Sequence, residues 1–495
     1  MRAIPALTLS FAVVLAHVGA PPATAQSAQS ARSAQSVRSA DLLVRHAHVV
    51  DVETGRIARD RAIAIRGDTI IAITTDAGAR RLRATRTLDA GGRYVIPALW
   101  DMHVHFGGGD SLIAENRLLL PLFLAHGIVA VRDAAGDLSP SVLAWRDSVA
   151  RGALDGPTIF TSGPKLEGKN SIWPGDLEVG TREEVDAGIA QLQAMRVDFV
   201  KLTDNTLAPD LFRYALGELR RRGIRSSAHI PVSVPVREAV DSGLRSIEHL
   251  SYAIRAGTER PGVAAGGDVM KTFDEATATA TYRLMAERGT AITPTLNISR
   301  ILAWLDQEDH AKDPYLRYIG PGLRTTYTWR VERAATADAA AIARRHALYD
   351  FTSAKLPLLQ RAGVLILAGT DAGFLNSFNY PGLGLHHELA LMVKAGLSPL
   401  EALRAATING ARFLGRDGRH GTVRIGNAAD LVILDRNPLD DIAATQAIHA
   451  VVLRGGVRDR AALDALLAGV AADVQRLERT PRTSPEPRPS DSARR

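Results

Sequence analysis

Val95-Ile96-Pro97-Ala98-Leu99-Trp100-Asp101-Met102-His103-Val104-His105-Phe106 runs from apolar residues into two histidines one position apart, and Gly107, Gly108 and Gly109 end it. In a buried β-strand, residues i and i+2 face the same side. His103 and His105 therefore stand side by side where the strand exits, and two imidazole nitrogens there can reach one metal ion. A lone His-x-His pair is weak evidence, because two polar residues can simply end a strand. The flanking sequence decides between the two.

From residue 95 to about 415, strand-like and helix-like patterns alternate. The segments 95–105, 127–133, 158–163, 198–203, 224–230, 246–250, 290–296 and 364–370 read as strands, with helical patterns such as 183–195, 209–222 and 236–242 between them. Repeats of this kind at this length predict a (β/α)8 TIM barrel of α/β class. Such barrels gather the carboxyl ends of their strands at one mouth, where the chemistry is placed. Here the first strand ends on His103 and His105, the fourth on Lys201, the fifth on His229, the sixth on His249, and the eighth on Asp371. Neutral imidazole and carboxylate are good ligands for zinc-like ions, whereas an ammonium offers no lone pair. A lysine buried beside cations is driven to its neutral amine, which can capture carbon dioxide as a carbamate. With only seven lysines in the chain, a chance arrival of one at the fourth strand's end is improbable.

Other residues carry less. The loop leaving the third strand, 163–176, brings Lys165, Lys169 and Trp173 towards the mouth as candidate substrate contacts. The connections 254–272 and 297–325 are long enough to wall a pocket, and a helix-like run follows at 326–348. His126, His386, His387 and His420 lie off the strand ends and read as surface or supporting residues, and Asp133 as a structural one.

Strand patterns also occur outside the barrel region, at 42–52, 62–65 and 69–73, and again at 421–423, 429–434 and 450–453. Neither group is large enough for a domain. Together, as 41–94 and 418–460, they are expected to form one composite β-sandwich domain, into which the barrel (95–417) is inserted. Residues 399–414 read as one helix and 461–479 as a C-terminal helix, ahead of a Pro/Ser/Arg tail at 480–495 expected to be disordered.

On these residues the chain resembles the amidohydrolase superfamily, in its imidazolonepropionase/prolidase-like branch, over about residues 41–457. Asp430-Leu431-Val432-Ile433-Leu434 matches that family's closing pattern. The resemblance implies two divalent metal ions, with zinc the expected ion. His103, His105 and Asp371 would hold one, His229 and His249 the other, and a carboxylated Lys201 would bridge them. It implies hydrolysis of a C–N bond (amide, peptide or cyclic amide) by a metal-bridging hydroxide, with Asp371 as proton carrier and Asp371 and Lys201 as the catalytic residues. Ala98 stands where the family usually has glycine, and Ala228-His229-Ile230-Pro231 departs from the dipeptidase members. A lactonase or phosphotriesterase could use an equivalent ligand set, and a catalytically inactive barrel scaffold is a further alternative. Inactive relatives lose ligands, and here every ligand position is filled.

The 495 residues carry a formal net charge of +7, 46% hydrophobic and 23% charged residues. These are values of a globular protein. The arginines are scattered and not interleaved with aromatics, so the basic balance points to a solvated surface and no nucleic-acid partner. The expected partner is a small-molecule substrate, and a homo-oligomer stays open. Arg2, the apolar stretch 4–18 and Ala23-Thr24-Ala25 read as an export signal cleaved after residue 25, leaving a periplasmic or secreted protein. The apolar run is too short for stable membrane insertion. Residues 26–40 repeat Ser, Ala, Gln and Arg and read as disordered linker, and the absence of cysteine rules out disulfides.

Overall fold

The computed structural model describes residues 39–479 except Ala135, Ile172 and Pro174. The expected signal peptide (1–25), residues 26–38 of the expected linker and the tail (480–495) lie outside the described residues. Ser39 and Ala40, placed in the linker by their composition, instead open the first strand, where Ala40 is buried.

The chain begins with β1 (Ser39–Val50), β2 (Ile57–Arg66), β3 (Thr69–Thr75), β4 (Arg83–Asp89) and β5 (Tyr94–Pro97). β1, β2 and β3 are successive antiparallel neighbours, and the pairs Leu42↔Ile65 and Val44↔Ile63 put β-branched and aliphatic side chains on one buried face. β4 was not evident from sequence: its RATRTLD is half charged and mostly exposed, yet it pairs with β1 in parallel.

The next strands are β6 (Leu99–His105), β7 (Ile128–Asp133), β8 (Thr158–Thr161), β9 (Leu166–Gly168), β10 (Leu177–Val179), β11 (Val200–Leu202), β12 (Ser226–Ala228), β13 (Ser246–Glu248), β14 (Ala291–Thr293) and β15 (Ala372–Gly373). They form two parallel sheets, in the orders β15-β6-β7-β8 and β10-β9-β11-β12-β13-β14. Ladder pairing does not run unbroken around them. Single backbone bonds join the two sheets instead: Asp198 N–H to Thr161 O (2.9 Å) on one side, Leu367 N–H to Ile292 O (2.8 Å) and Met102 N–H to Ala368 O (2.9 Å) on the other. The expected eighth strand, 364–370, is thus an extended segment with one isolated bridge, Ile292↔Ile366, and not a ladder strand. Helices pack on these sheets by their apolar stripes. Pro209–Arg221, for example, buries Leu211, Phe212, Ala215, Leu216 and Leu219 at helical spacing, and Pro209 suits its first turn.

Three further expectations change. The loop 163–176 contains β9, which pairs Leu166 with Leu202 of β11. Residues 399–414 split into Pro399–Ala405 and Ile408–Phe413, and the run at 326–348 into Thr328–Ala335 and Ala339–Ser353, the latter capped by the Asp338 side chain on Ala341 N–H.

The chain's last strands are β16 (Leu431–Leu434), β17 (Ile448–Leu453) and β18 (Gly456–Asp459), followed by the helix Arg460–Arg479. They join the first five in one eight-stranded sheet, β18-β17-β16-β5-β1-β2-β3, with β4 on β1. Its core includes Ile63, Ile65, Val95, Leu431, Ile433 and Val452. Residues 421–423 form no strand: Gly421 has φ +85°, and Thr422 takes hydrogen bonds from Asn427 Nδ2. Among the described residues no helix is long and apolar enough to cross a membrane.

Candidate metal centre

Alternation along β6 turns Asp101, His103 and His105 to one side, with Asp101 and His103 fully buried and His105 partly so. The Nε2 atoms of His103 and His105 lie 3.2 Å apart. Across the mouth, Nε2 of His229, just after β12, lies 3.0 Å from Nε2 of His249, just after β13. Asp371 closes the group, its Oδ1 2.6 Å from His105 Nε2 and 3.2 Å from His103 Nε2. One ligand atom each from His103, His249 and Asp371 lies within 4.8 Å of the others.

Two of these residues sit in unusual backbone. His249 and Asp371 both have φ +67°, and Thr295, after β14, has φ +50°. Left-handed conformations at non-glycine residues are costly and concentrate at functional sites. Here they are held by hydrogen bonds: Asn376 Nδ2 donates to Asp371 O, Asn379 Nδ2 to Thr370 O at 2.5 Å, and Thr295 Oγ1 meets His249 Nδ1 at 2.7 Å.

Buried charged residues set the ligand orientation. Glu248 Oε2 takes His103 Nδ1 at 2.6 Å, which leaves the Nε2 lone pair pointing at Asp371 and His105. Glu248 in turn accepts from Arg132 Nη2 (2.7 Å), from Ser227 Oγ (2.6 Å) and from Ser246 Oγ. Arg132 reaches further, to Met102 O (2.6 Å) and Thr293 Oγ1 (3.1 Å), with Phe199 and Phe413 on its faces. Asp101 accepts from His103 N–H (3.2 Å), Thr370 N–H (3.0 Å) and Thr370 Oγ1 (2.7 Å), so it ties the first ligand segment to the last. Burial pushes the Asp101 carboxyl up to about 6, against those three bonds.

The same burial acts on the ligands. It pulls His105 down to about 4 and His249 to about 3, and His229 well below the usual imidazole range, so each is neutral with a lone pair to give. Burial would raise the Asp371 carboxyl, but the surrounding histidines hold it well below the carboxylate range. Lys201 on β11 is buried, its Nζ has no hydrogen-bond partner among the described residues, and burial lowers its amine to about 8 despite Glu248. A donor set of three imidazoles held neutral, a fourth (His103) raised by Glu248 and Asp371 against its burial, and a carboxylate around an orphaned, partly neutral amine fits divalent cations and a carboxylated lysine.

Around this group, Tyr252 stacks on His229 (5.1 Å, 4°) and donates to Asp204 Oδ1 (3.0 Å). Lys165 is buried in an ion pair with Asp176 (2.9 Å), and its charge acts on His105 and Lys201. Arg330, from the helix Thr328–Ala335, donates to Leu375 O (3.0 Å) and Asn376 Oδ1 (3.2 Å) and faces the charge of Asp371. Lys169 turns to Glu184 (2.9 Å), and Trp173 is half-buried with its backbone N–H on Ser171 Oγ (3.1 Å); among the described residues neither touches the histidines. Asp133 accepts from Phe106 N–H and Thr161 Oγ1, a structural role.

Sequence reasoning found the ligand candidates but missed Glu248, Arg132 and Tyr252. The available signal was a run of interior polar residues, Ser226, Ser227 and Ser246, in strands otherwise expected to be apolar.

The model of the amidohydrolase family matches residues 94–458. Ochratoxinase of Aspergillus niger is 25% identical over 478 residues, covering 84% of this chain and 86% of its own. Among solved structures, a prolidase complexed with N-methylphosphonate-L-proline superposes with TM-score 0.62 at 21% identity, covering 85% of this chain and 99% of its own. Bottromycin amidohydrolase does so with TM-score 0.68 at 23% identity, covering 87% and 90%.

Proposed function

The chain belongs to the amidohydrolase family and is a hydrolase acting on C–N bonds, and from that premise we propose that it hydrolyses an amide or peptide bond at a binuclear metal centre. One ion would be held by His103, His105 and Asp371, the other by His229 and His249, with Lys201, as its carbamate, between them. The observation that carries this reading is the convergence of two imidazole pairs, at 3.2 and 3.0 Å, on Asp371 beside the unpartnered Lys201 amine. When bound, such ions polarise a carbonyl and bring the pKa of water close to neutrality.

The chain's own residues do the rest. Asp371, buried and ionised, orients the attacking water, accepts its proton and returns it to the leaving nitrogen. Glu248 and Asp101 keep His103 and Asp371 aimed. Arg330, whose charge acts on Asp371, supplies positive charge beside the centre, suited to a carboxylate on the substrate. In the same reading the two parallel sheets are halves of one barrel, the sheet shared by both chain ends is a composite β-domain, and the protein is exported after loss of residues 1–25.

The test is metal analysis together with a panel of dipeptides, N-acyl amino acids, lactones and paraoxon. Metal-dependent turnover of an amide is expected. Turnover restricted to lactones or paraoxon would replace this reading with the lactonase or phosphotriesterase one, and a metal-free protein with no turnover would mark a scaffold.

A further inference from the structure

At the end of the sheets opposite the histidines lies a cavity of about 490 Å³. Arg225 precedes β12 and Arg245 precedes β13, whereas His229 and His249 follow those strands, so the cavity opens on the other face of the fold. Arg220, Arg225, Arg245 and Arg288 line it, with Asp241 the only carboxylate among the lining residues and Ile224, Val240 and Leu244 as apolar wall.

Three of the arginines have a structural role. Arg220 donates to Asp241 O (2.9 Å), Arg245 donates to Arg288 O (2.7 Å), and Arg288 lies 3.3 Å from Asp241 Oδ1. These contacts satisfy carbonyls at the ends of the helices Val236–Asp241 and Glu275–Arg288, where cations complement the helix dipole. Arg225 is different. It stands at a strand's start, its guanidinium has no hydrogen bond or ion pair among the described residues, and it feels the charges of Arg245 and Arg416, with Asp198 the one carboxylate acting on it. Partial burial, and after it repulsion from these guanidinium groups, disfavour its charge. A polyvalent anion in the cavity would relieve that repulsion and be gripped by planar forks, the geometry in which arginine binds phosphate.

We propose that this cavity binds the diphosphate group of a small molecule, with Arg225 as its principal ligand. The proposal is independent of the chemistry at the histidines.

The test uses the full chain, titrated calorimetrically with inorganic pyrophosphate and with ADP at 150 mM NaCl, a salt level near the physiological range. Saturable binding is expected, at least tenfold weaker in Arg225→Gln and partly kept in Arg225→Lys. Tighter binding of ADP assigns the group to an ester, and tighter or equal binding of pyrophosphate assigns it to the free anion. An unchanged melting curve and unchanged amide turnover show that the variants are folded. Pyrophosphate held at the histidine cluster would bind wild type and variant alike, and that result, or no saturable binding to the wild type, overturns the proposal.

Discussion

Glu248 Oε2 lies 2.6 Å from His103 Nδ1, and both side chains are wholly buried. Arg132, equally buried, holds the same carboxylate, so two residues from two other strands fix one imidazole. Partners of this kind orient a ligand and raise its basicity. Glu248→Gln removes the charge and sets an amide NH₂ against Arg132. Metal affinity, measured by zinc titration of the folded variant, is expected to fall ~10–100-fold. Wild-type affinity would show that His103 needs no such support.

Asp371→Asn should keep the fold and part of the metal, because Asn376 and Asn379 anchor the backbone of residues 370–371 and not the carboxylate. Losing the proton carrier should cost ~10²–10⁴-fold in kcat. Near-wild-type turnover would move the proton transfer to another group.

Lys201→Ala should lose at least one metal equivalent and nearly all activity. Acetate or propionate should partly restore both by filling the place of the carbamate. Full activity in the alanine variant, or one metal per chain in the active wild type, would leave a mononuclear enzyme.

The amine of Lys201 also sets a pH dependence. Burial depresses it from the ordinary lysine value to about 8. Only the neutral amine captures carbon dioxide, and below that value the protonated form dominates. Reconstitution of the metal-free protein with zinc and bicarbonate should therefore speed up as pH rises through about 8. A rate still climbing steeply only above pH ~10 would mean an unperturbed lysine.

Arg330→Gln should raise KM about tenfold for an amide bearing a free carboxylate, in line with the loss of one charge-assisted hydrogen bond. It should do little for the same amide with its carboxylate capped. Trp173→Ala tests the loop 163–176 on the same pair of substrates, where a change in preference at constant metal content is expected. Identical kinetics across the panel would place that loop outside the pocket.

The residues that meet at this centre were legible because His103, His105, His229 and His249 stand at or just after the ends of parallel strands. His103 and His105 follow the two-residue period directly. Glu248 was not legible for the same reason: as the neighbour of His249 it should face the opposite way. The φ of +67° at His249 breaks the alternation and lets both residues serve the centre. β4 and β9 escaped detection because their sequences, RATRTLD and LEG, are polar or short, and pairing with β1 and β11 decides their conformation. The 364–370 segment read as a strand from its apolar run but is tied only by isolated bonds, since Gly369 packs against His103 and Asp371 turns the backbone away.

The position of β5 carries a consequence for the nascent chain. β5 is bonded on one side to β1 and on the other to β16, through Tyr94↔Leu434 and Val95↔Ile433. During synthesis that second edge has no partner until residues 98–430 have been made, on the order of tens of seconds at typical elongation rates. An apolar strand edge left open for so long is a template for misassembly between chains. A chain stopped before Leu431 should therefore aggregate even though every metal ligand is already present, and co-expression of residues 418–479 in trans should rescue part of it.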